Sequence, residues 1–178
     1  MLQKCNIFRV AGIFFEEPTK THYLLEISRK SGMAHTSVKR YLQDLKDMSI
    51  INENIEKKGE RKFPVFIANL YSKAYKENKR MYNLTMIRKS GLVQFLKDKT
   101  MPKAIVLFGS YFKGEDIESS DIDIFLECNN QKINVSLYEK KLKRKIQLHF
   151  NKDFNKYPAE LKNNIINGLV LEGYLEAF

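Results

Sequence analysis

Residues 104–127 read AIVLFGSYFKGEDIESSDIDIFLE, and the fold turns on why a chain with a formal charge of +10 gathers acids beside so apolar a run. The segment AIVLF, bounded by Lys103 and Gly109, has the unbroken β-branched and apolar character of a strand buried on both faces. A second strand is expected around IDIFLE, with Asp121 and Asp123 ahead of a run of bulky residues. Residues i and i+2 of a strand point to one side, about 6.6 Å apart at a rise of about 3.3 Å per residue, so both carboxylates face one cavity. Two such anions repel, and one tends to keep its proton unless a cation stands between them. Magnesium or manganese supplies that cation, and two hard ions held by carboxylates can clamp the phosphates of a nucleotide. Gly109 lets the backbone approach a ligand where a side chain would collide, and the amides around Ser110 form an anion-binding helix terminus. The acids hold metal and the metal holds phosphate, so local negative charge does not imply a positive ligand.

Taken whole, LFGSYFKGEDIESSDIDIFL resembles the signature of the polymerase-beta-like nucleotidyltransferase superfamily: a strand, Gly-Ser, ten residues, then Asp-x-Asp in a second strand. Lys113 and Gly114 stand where relatives often have a basic residue and a glycine, and minimal members resemble residues 103–178 in length and order. The resemblance implies that Asp121 and Asp123 are catalytic and bind Mg2+ or Mn2+, and that Gly109, Ser110 and Lys113 contact the nucleotide. It also implies transfer of a nucleoside monophosphate from a nucleoside triphosphate to a hydroxyl acceptor. That acceptor is a nucleic-acid end, a small molecule, or a protein side chain, as in minimal nucleotidyltransferases that modify a toxin partner. A surface loop followed by a structural strand would not account for two carboxylates at an apolar run.

One part of the family pattern is missing. Active members usually carry a third acid on a later strand, where it joins the metal shell and helps deprotonate the attacking hydroxyl. The strand expected at IQLHF has Gln147 and His149 at its polar positions, and Gln147 aligns with the missing acid. An amide can orient a hydroxyl but cannot remove its proton, and losing a base costs on the order of 10²–10⁴ in rate. The alternative function is therefore a DNA-binding transcriptional regulator whose nucleotidyltransferase domain binds nucleotide with weak or no turnover. His149 could serve as base or metal ligand, although a lone strand histidine more often packs or hydrogen-bonds. Asp153 is the nearest downstream acid, in an expected loop. A helix over NVSLYEKKLKRK turns Val135, Tyr138 and Leu142 inward, and its basic back is either solvated or a contact for acceptor nucleic acid. The closing segment has Pro158 at a helix start and Leu161, Ile165 and Leu169 on one face.

The remainder of the chain carries the charge. Residues 1–70 hold 12 Lys/Arg against 8 Asp/Glu, residues 71–103 hold 9 against 2, and residues 104–178 hold 10 against 11. A polyanion would thus be drawn to the first 103 residues. Within them, THYLLEISRKSGMAHTSVKRYLQDLKDMSI reads as two helices separated by KSGM. The second buries Val38, Leu42 and Leu45 and turns Thr36, Arg40 and Gln43 outward, with Lys39 on the flank. Two strands should follow, around a basic turn at Lys57, Lys58, Gly59, Arg61 and Lys62. Three helices and a basic hairpin resemble the winged helix-turn-helix family over residues 5–70. That resemblance implies base contacts from the helix bearing Thr36, Lys39, Arg40 and Gln43, and phosphate contacts from Lys57, Lys58, Arg61 and Lys62. An amphipathic surface helix and a protein-binding winged domain are the plainer readings of the same residues.

These readings give an α+β protein with a winged helix-turn-helix domain over 1–70, a basic helical connector over 71–102 and a minimal nucleotidyltransferase domain over 103–178. The connector should break near Ser90-Gly91, and its tyrosines Tyr71, Tyr75 and Tyr82 either face nucleic acid or pack onto a domain or a second copy of the chain, which makes a homodimer one expectation. The apolar patch VAGIFF is too short to span a bilayer and has no cleavage site after it. Cys5 and Cys128 lack CxxC spacing, so reduced thiols in a cytoplasm are expected and neither is given a role.

Overall fold

The computed structural model describes residues 6–176, which leaves Cys5 outside the described residues. The chain divides into two compact units, Met1–Lys79 and Arg80–Phe178.

The first unit contains α1 (Asn6–Glu16), β1 (His22–Tyr23), α2 (Leu24–Ser31), α3 (His35–Asp47), β2 (Ile51–Lys58), β3 (Arg61–Ala68) and the first turns of α4 (Lys73–Ser90). The VAGIFF patch is the core face of α1, with Val10, Ala11, Gly12, Ile13, Phe14 and Phe15 all buried. No helix among the described residues is long and apolar enough to cross a membrane. Gly32 ends α2 in the left-handed region at φ 64°, where its amide bonds the Arg29 carbonyl; glycine takes that conformation without a Cβ penalty. Val38, Leu42 and Leu45 are the buried face of α3, as their helical spacing requires. β2 and β3 form an antiparallel hairpin in which Lys58 pairs with Arg61 and Lys57 with Lys62. Gly59, at φ 63°, opens its two-residue turn. His22 and Tyr23, expected within a helix, form a strand paired to Phe66 and Val65 of β3, giving the sheet order β1-β3-β2. Two residues are too few to show alternation, and only the partner strand decides their state.

The second unit contains the rest of α4, then α5 (Leu92–Thr100), β4 (Ala104–Phe108), α6 (Gly109–Lys113), β5 (Ile122–Leu126), α7 (Ser136–Leu142), β6 (Ile146–Phe150), α8 (Ala159–Ile166) and β7 (Leu169–Gly173). Gly91, at φ 81°, separates α4 from α5, where the sequence places a break. The expected connector residues thus form two helices, and the unit boundary at Lys79 lies within α4. The sheet order is β6-β5-β4-β7, with β4 antiparallel to β5 and β7 and β5 parallel to β6. All five residues of β4 are buried. Ile105 and Leu107 pack with Leu92, Leu96, Ile122 and Ile124 in one core, while Ala104, Val106 and Phe108 pack with Phe125, Phe154 and Ile165 in another. A continuous apolar run is what a strand with a core on each face needs.

The C-terminal segment departs from expectation. α8 ends at Ile166, and Leu169 lies in β7, paired with Leu107, rather than on a helix face. A Cβ at Gly168 would lie 2.6 Å from the Leu107 carbonyl oxygen, so a glycine there lets the chain turn tightly onto β4. α7 is also shorter than expected and stops before Lys143, whose φ of 55° ends the helix.

Candidate active site

One end of the second unit's sheet gathers the acids. Asp121 immediately precedes β5 and is exposed, while Asp123 is the second residue of β5 and half-buried. Asp123 is paired with Phe108 at the end of β4 and with Gln147 near the start of β6. The Ile122 amide donates to the Lys145 carbonyl at 2.8 Å, which brings the backbone beside Asp121 up against the start of β6. Three strand ends thus converge on one rim.

Gly109 follows Phe108 and has φ +76°. A Cβ built on it would lie 2.5 Å from Oδ2 and 3.3 Å from Cγ of Asp123, so the glycine leaves room for the acid as well as adopting a left-handed backbone. The sequence reading expects this glycine to make space for a ligand; the first thing it makes space for is the carboxylate. The other carboxylate oxygen, Oδ1, stands 3.1 Å from Nε2 of His149. The imidazole lies against Phe108, with ring centroids 5.2 Å apart and planes at 56°. Side-chain exposures of 15% for His149 and 24% for Asp123 leave both reachable from one side only.

Ser110 is half-buried in α6, whose five residues make it a single turn, so its amides act individually rather than through a developed dipole. Lys113 is exposed at the far end of that turn, before Gly114 at φ 72°. The link from Gly114 to Asp121 is pinned by Asp116, which is 1% exposed. Asp116 accepts the Asn83 side-chain amide at 2.8 Å and pairs with Arg144 at 3.4 Å. Ser120 Oγ accepts the Ile117 amide at 2.9 Å. These anchors set the ten-residue spacing between Ser110 and Asp121 in space.

Gln147 is exposed on β6 and in register with Asp123. Asp153 lies elsewhere: it follows the opposite end of β6 and lines a cavity of about 440 Å³ with Lys103, Glu127 and Lys156. Sequence reasoning missed the Asp123–His149 contact and the Asp116–Arg144–Asn83 network. The parallel pairing of β5 and β6 would have shown the first, and no local signal marks the second.

Neither Asp121 nor Asp123 is ion-paired with a lysine or arginine among the described residues. Two carboxylates, one of them bonded to an imidazole nitrogen and backed by a glycine, are donors that fit a divalent cation. A second cluster, Glu17, His22 and Glu26, lies in the first unit with ligand atoms within 4.8 Å of one another. Its cations are already present: Lys30 is bonded to Glu17 and Glu26, and Lys20 to Glu17 at 2.7 Å. Burial alone would raise the Glu17 pKa, but the Lys20 and Lys30 hydrogen bonds outweigh it and hold the group at about 2.

The residues expected to meet DNA are in the first unit. Thr36, Lys39, Arg40 and Gln43 are exposed on α3, with Gln43 Nε2 donating to Asp47 Oδ1 at 2.8 Å and Arg40 lying over the Tyr41 ring at 4.9 Å. Lys57, Lys58, Arg61 and Lys62 are exposed at the tip of the β2–β3 hairpin. Lys58 lies 4.5 Å from the Tyr23 ring centroid, and its ammonium is held protonated by hydrogen bonding to the Tyr23 hydroxyl and by Glu56.

Residues 91–173, a little under half of the chain, match the family described as Polymerase beta, Nucleotidyltransferase. A Methanocaldococcus jannaschii protein named "Putative protein adenylyltransferase" is 59% identical over 34 residues, which is 19% of this chain and 34% of that protein. The chain thus spans about a third of the curated relative it matches. No solved structure matches it. Residues 91–173 therefore carry a polymerase beta nucleotidyltransferase domain, and nucleotidyl transfer is the role that this domain supports.

Proposed function

We propose that the chain moves a nucleoside monophosphate, AMP in the first instance, from a nucleoside triphosphate to a hydroxyl group in a reaction that requires Mg2+ or Mn2+. The observation that carries this reading is the Asp123 carboxylate, fitted against Gly109 on one oxygen and His149 on the other, with exposed Asp121 two residues away. Among the described residues neither acid has a lysine or arginine partner, and a divalent cation would supply that charge while neutralising the phosphates. Asp121 and Asp123 would hold the metal, and the backbone at Gly109 and Ser110, with Lys113 nearby, would bind the outgoing phosphates. In the transfer, the acceptor oxygen bonds to the α-phosphorus while the bond from that phosphorus to the pyrophosphate oxygen breaks. Pyrophosphate leaves with the electron pair, and the hydroxyl proton passes to a carboxylate or to water. The Gln147 amide cannot take it.

ATP is the nucleotide suggested by the name of the Methanocaldococcus jannaschii relative, and that name also favours a protein side chain as acceptor over nucleic acid. The first unit would act as a winged helix-turn-helix on DNA. Its support is the like-charge pairing of Lys57 with Lys62 across the hairpin, an arrangement that costs stability unless an anion neutralises it. Thr36, Lys39, Arg40 and Gln43, exposed on α3, would supply the donors to base edges.

Labelled ATP with Mg2+ or Mn2+ and candidate acceptors tests the enzyme. Transfer of label that Asp121→Ala leaves intact would exclude the site. A second reading, a DNA-binding regulator that binds nucleotide with little turnover, is favoured by the exposed Gln147 at the acid's position. It requires nucleotide binding without label transfer to any acceptor.

A further inference from the structure

An in-line displacement sets the attacking and leaving oxygens on opposite sides of the α-phosphorus. In the proposed transfer the outgoing phosphates lie toward Gly109 and Ser110, which follow β4 on one flank of Asp123. The sheet order β6-β5-β4-β7 puts β6 on the other flank, so the acceptor hydroxyl has to arrive over the start of β6. A cavity of about 460 Å³ lies at that start, lined by Lys140, Lys143, Arg144 and Lys145 with Glu118 and Glu139. Glu118 stands three residues before Asp121, and the Lys145 carbonyl accepts the Ile122 amide at 2.8 Å, so the cavity adjoins the acid rim. Its charges are not equally committed. Glu139 Oε1 accepts the Ile146 amide at 3.1 Å, and the buried Arg144 pairs with Asp116 at 3.4 Å. Lys141, in the same basic run, donates to the Ser90 carbonyl at 3.1 Å, outside the cavity. Lys140 and Lys145 are exposed, line the cavity, and have no carboxylate partner among the described residues. Lys143 has a left-handed backbone at φ 55°, so this turn carries a cation where the backbone favours a glycine.

We propose that this cavity is the acceptor site, and that it takes a polypeptide whose accepting hydroxyl is flanked by Asp or Glu side chains, held by Lys140 and Lys145. This rests on the nucleotidyltransferase reading of the adjoining rim. Lysine ammoniums are point charges on flexible stems, which accommodate carboxylates at varied spacing. A single-stranded nucleic acid is normally met by aromatic side chains on which its bases stack, and none is among the described residues lining the cavity. Glu118 and Glu139 would also oppose a continuous phosphate backbone, whereas a peptide can set separated acidic side chains against the lysines alone.

The test uses the whole chain, α-labelled ATP with Mg2+ or Mn2+, and three probes: a synthetic copolymer of Glu and Tyr, a copolymer of Lys and Tyr, and a single-stranded oligodeoxynucleotide with a free 3′ hydroxyl. The acidic copolymer should take label on tyrosine well ahead of the basic one. Its KM should rise about tenfold in the double variant Lys140→Gln, Lys145→Gln, while affinity for a non-hydrolysable ATP analogue stays unchanged. Lys141→Gln removes a charge from the helix that bears Lys140 but outside the cavity, and should leave KM as it is. Equal labelling of the two copolymers, or a KM that the double variant and Lys141→Gln move alike, overturns the cavity assignment while the enzyme reading stands. Label on the oligonucleotide that the double variant weakens gives the cavity to nucleic acid and overturns the polypeptide. Binding of the fluorescent acidic copolymer is followed in parallel by anisotropy. If no probe takes label, the enzyme reading fails; a copolymer Kd that the double variant weakens more than Lys141→Gln then still supports a polypeptide site, and a Kd that it leaves unchanged overturns both.

Discussion

Two places in this molecule set a carboxylate against a histidine, and they differ in what surrounds the pair. In the first unit, Glu17 and Glu26 flank His22, and Lys20 and Lys30 bond those carboxylates directly. In the second, Asp123 touches His149, Asp121 stands close by in sequence, and neither acid has a lysine or arginine partner among the described residues. The first cluster is charge-complete as folded and reads as scaffold. The second has a histidine beside Asp123 and no lysine or arginine on either acid among the described residues. The same residue types therefore mean different things, and the lysine count around them separates the two.

The comparison breaks most sharply at Asp121. Asp121→Ala should lower nucleotidyl transfer by about 10³-fold, because several kcal/mol of charge stabilisation by the metal depend on the pair, and kcat/KM with labelled ATP reads it. Residual activity within tenfold of wild type would place Asp121 with the scaffold acids. Gly109→Ala comes next. Its Cβ would meet Asp123 Oδ2 at 2.5 Å, and an alanine is strained at φ +76°, so a loss of about 10²-fold in kcat/KM is expected alongside a stability cost of about 1–3 kcal/mol. Chemical denaturation followed beside activity shows whether the two losses separate.

The first unit answers to different variables. If its hairpin meets phosphates, Lys57→Ala and Lys62→Ala should each reduce the slope of log K for DNA against log salt by about 1, while fold stability rises by a few tenths of a kcal/mol as the like-charge pair is removed. Unchanged salt dependence in both variants would end the DNA reading of the hairpin. The smallest effect is on acid stability. Glu17 has its folded pKa depressed to about 2 from 4.5, so its stabilising contribution is present above the unfolded value and is lost as pH falls through the folded one. Stability of the protein should decline between about pH 4.5 and pH 2, and Glu17→Gln should flatten that decline in a denaturant titration repeated at each pH.

Much of this was legible in one dimension. The run AIVLF announces a strand buried on both faces, and it is one. Gly-Ser, ten residues and Asp-x-Asp singled out Gly109 and Asp123, which the structure sets against each other. Apolar periodicity placed Val38, Leu42 and Leu45 inside and left Arg40 and Gln43 outside. The failures have physical causes. β1 is two residues long and owes its state to β3, and Leu169 continues an apolar periodicity that Gly168 interrupts for a strand paired to β4.

What the sequence determined by itself was therefore the presence of two carboxylates and a glycine at a spacing suited to phosphate chemistry, together with the core faces that fold around them. Tertiary structure alone decided what touches Asp123. The register of β5 against β6 sets Gln147 beside the acid and His149 within bonding distance of it, across a separation of more than twenty residues. Helix and strand periods are written along the chain, but a contact between strands depends on register, and register is fixed only when both strands bury their apolar faces in the same core.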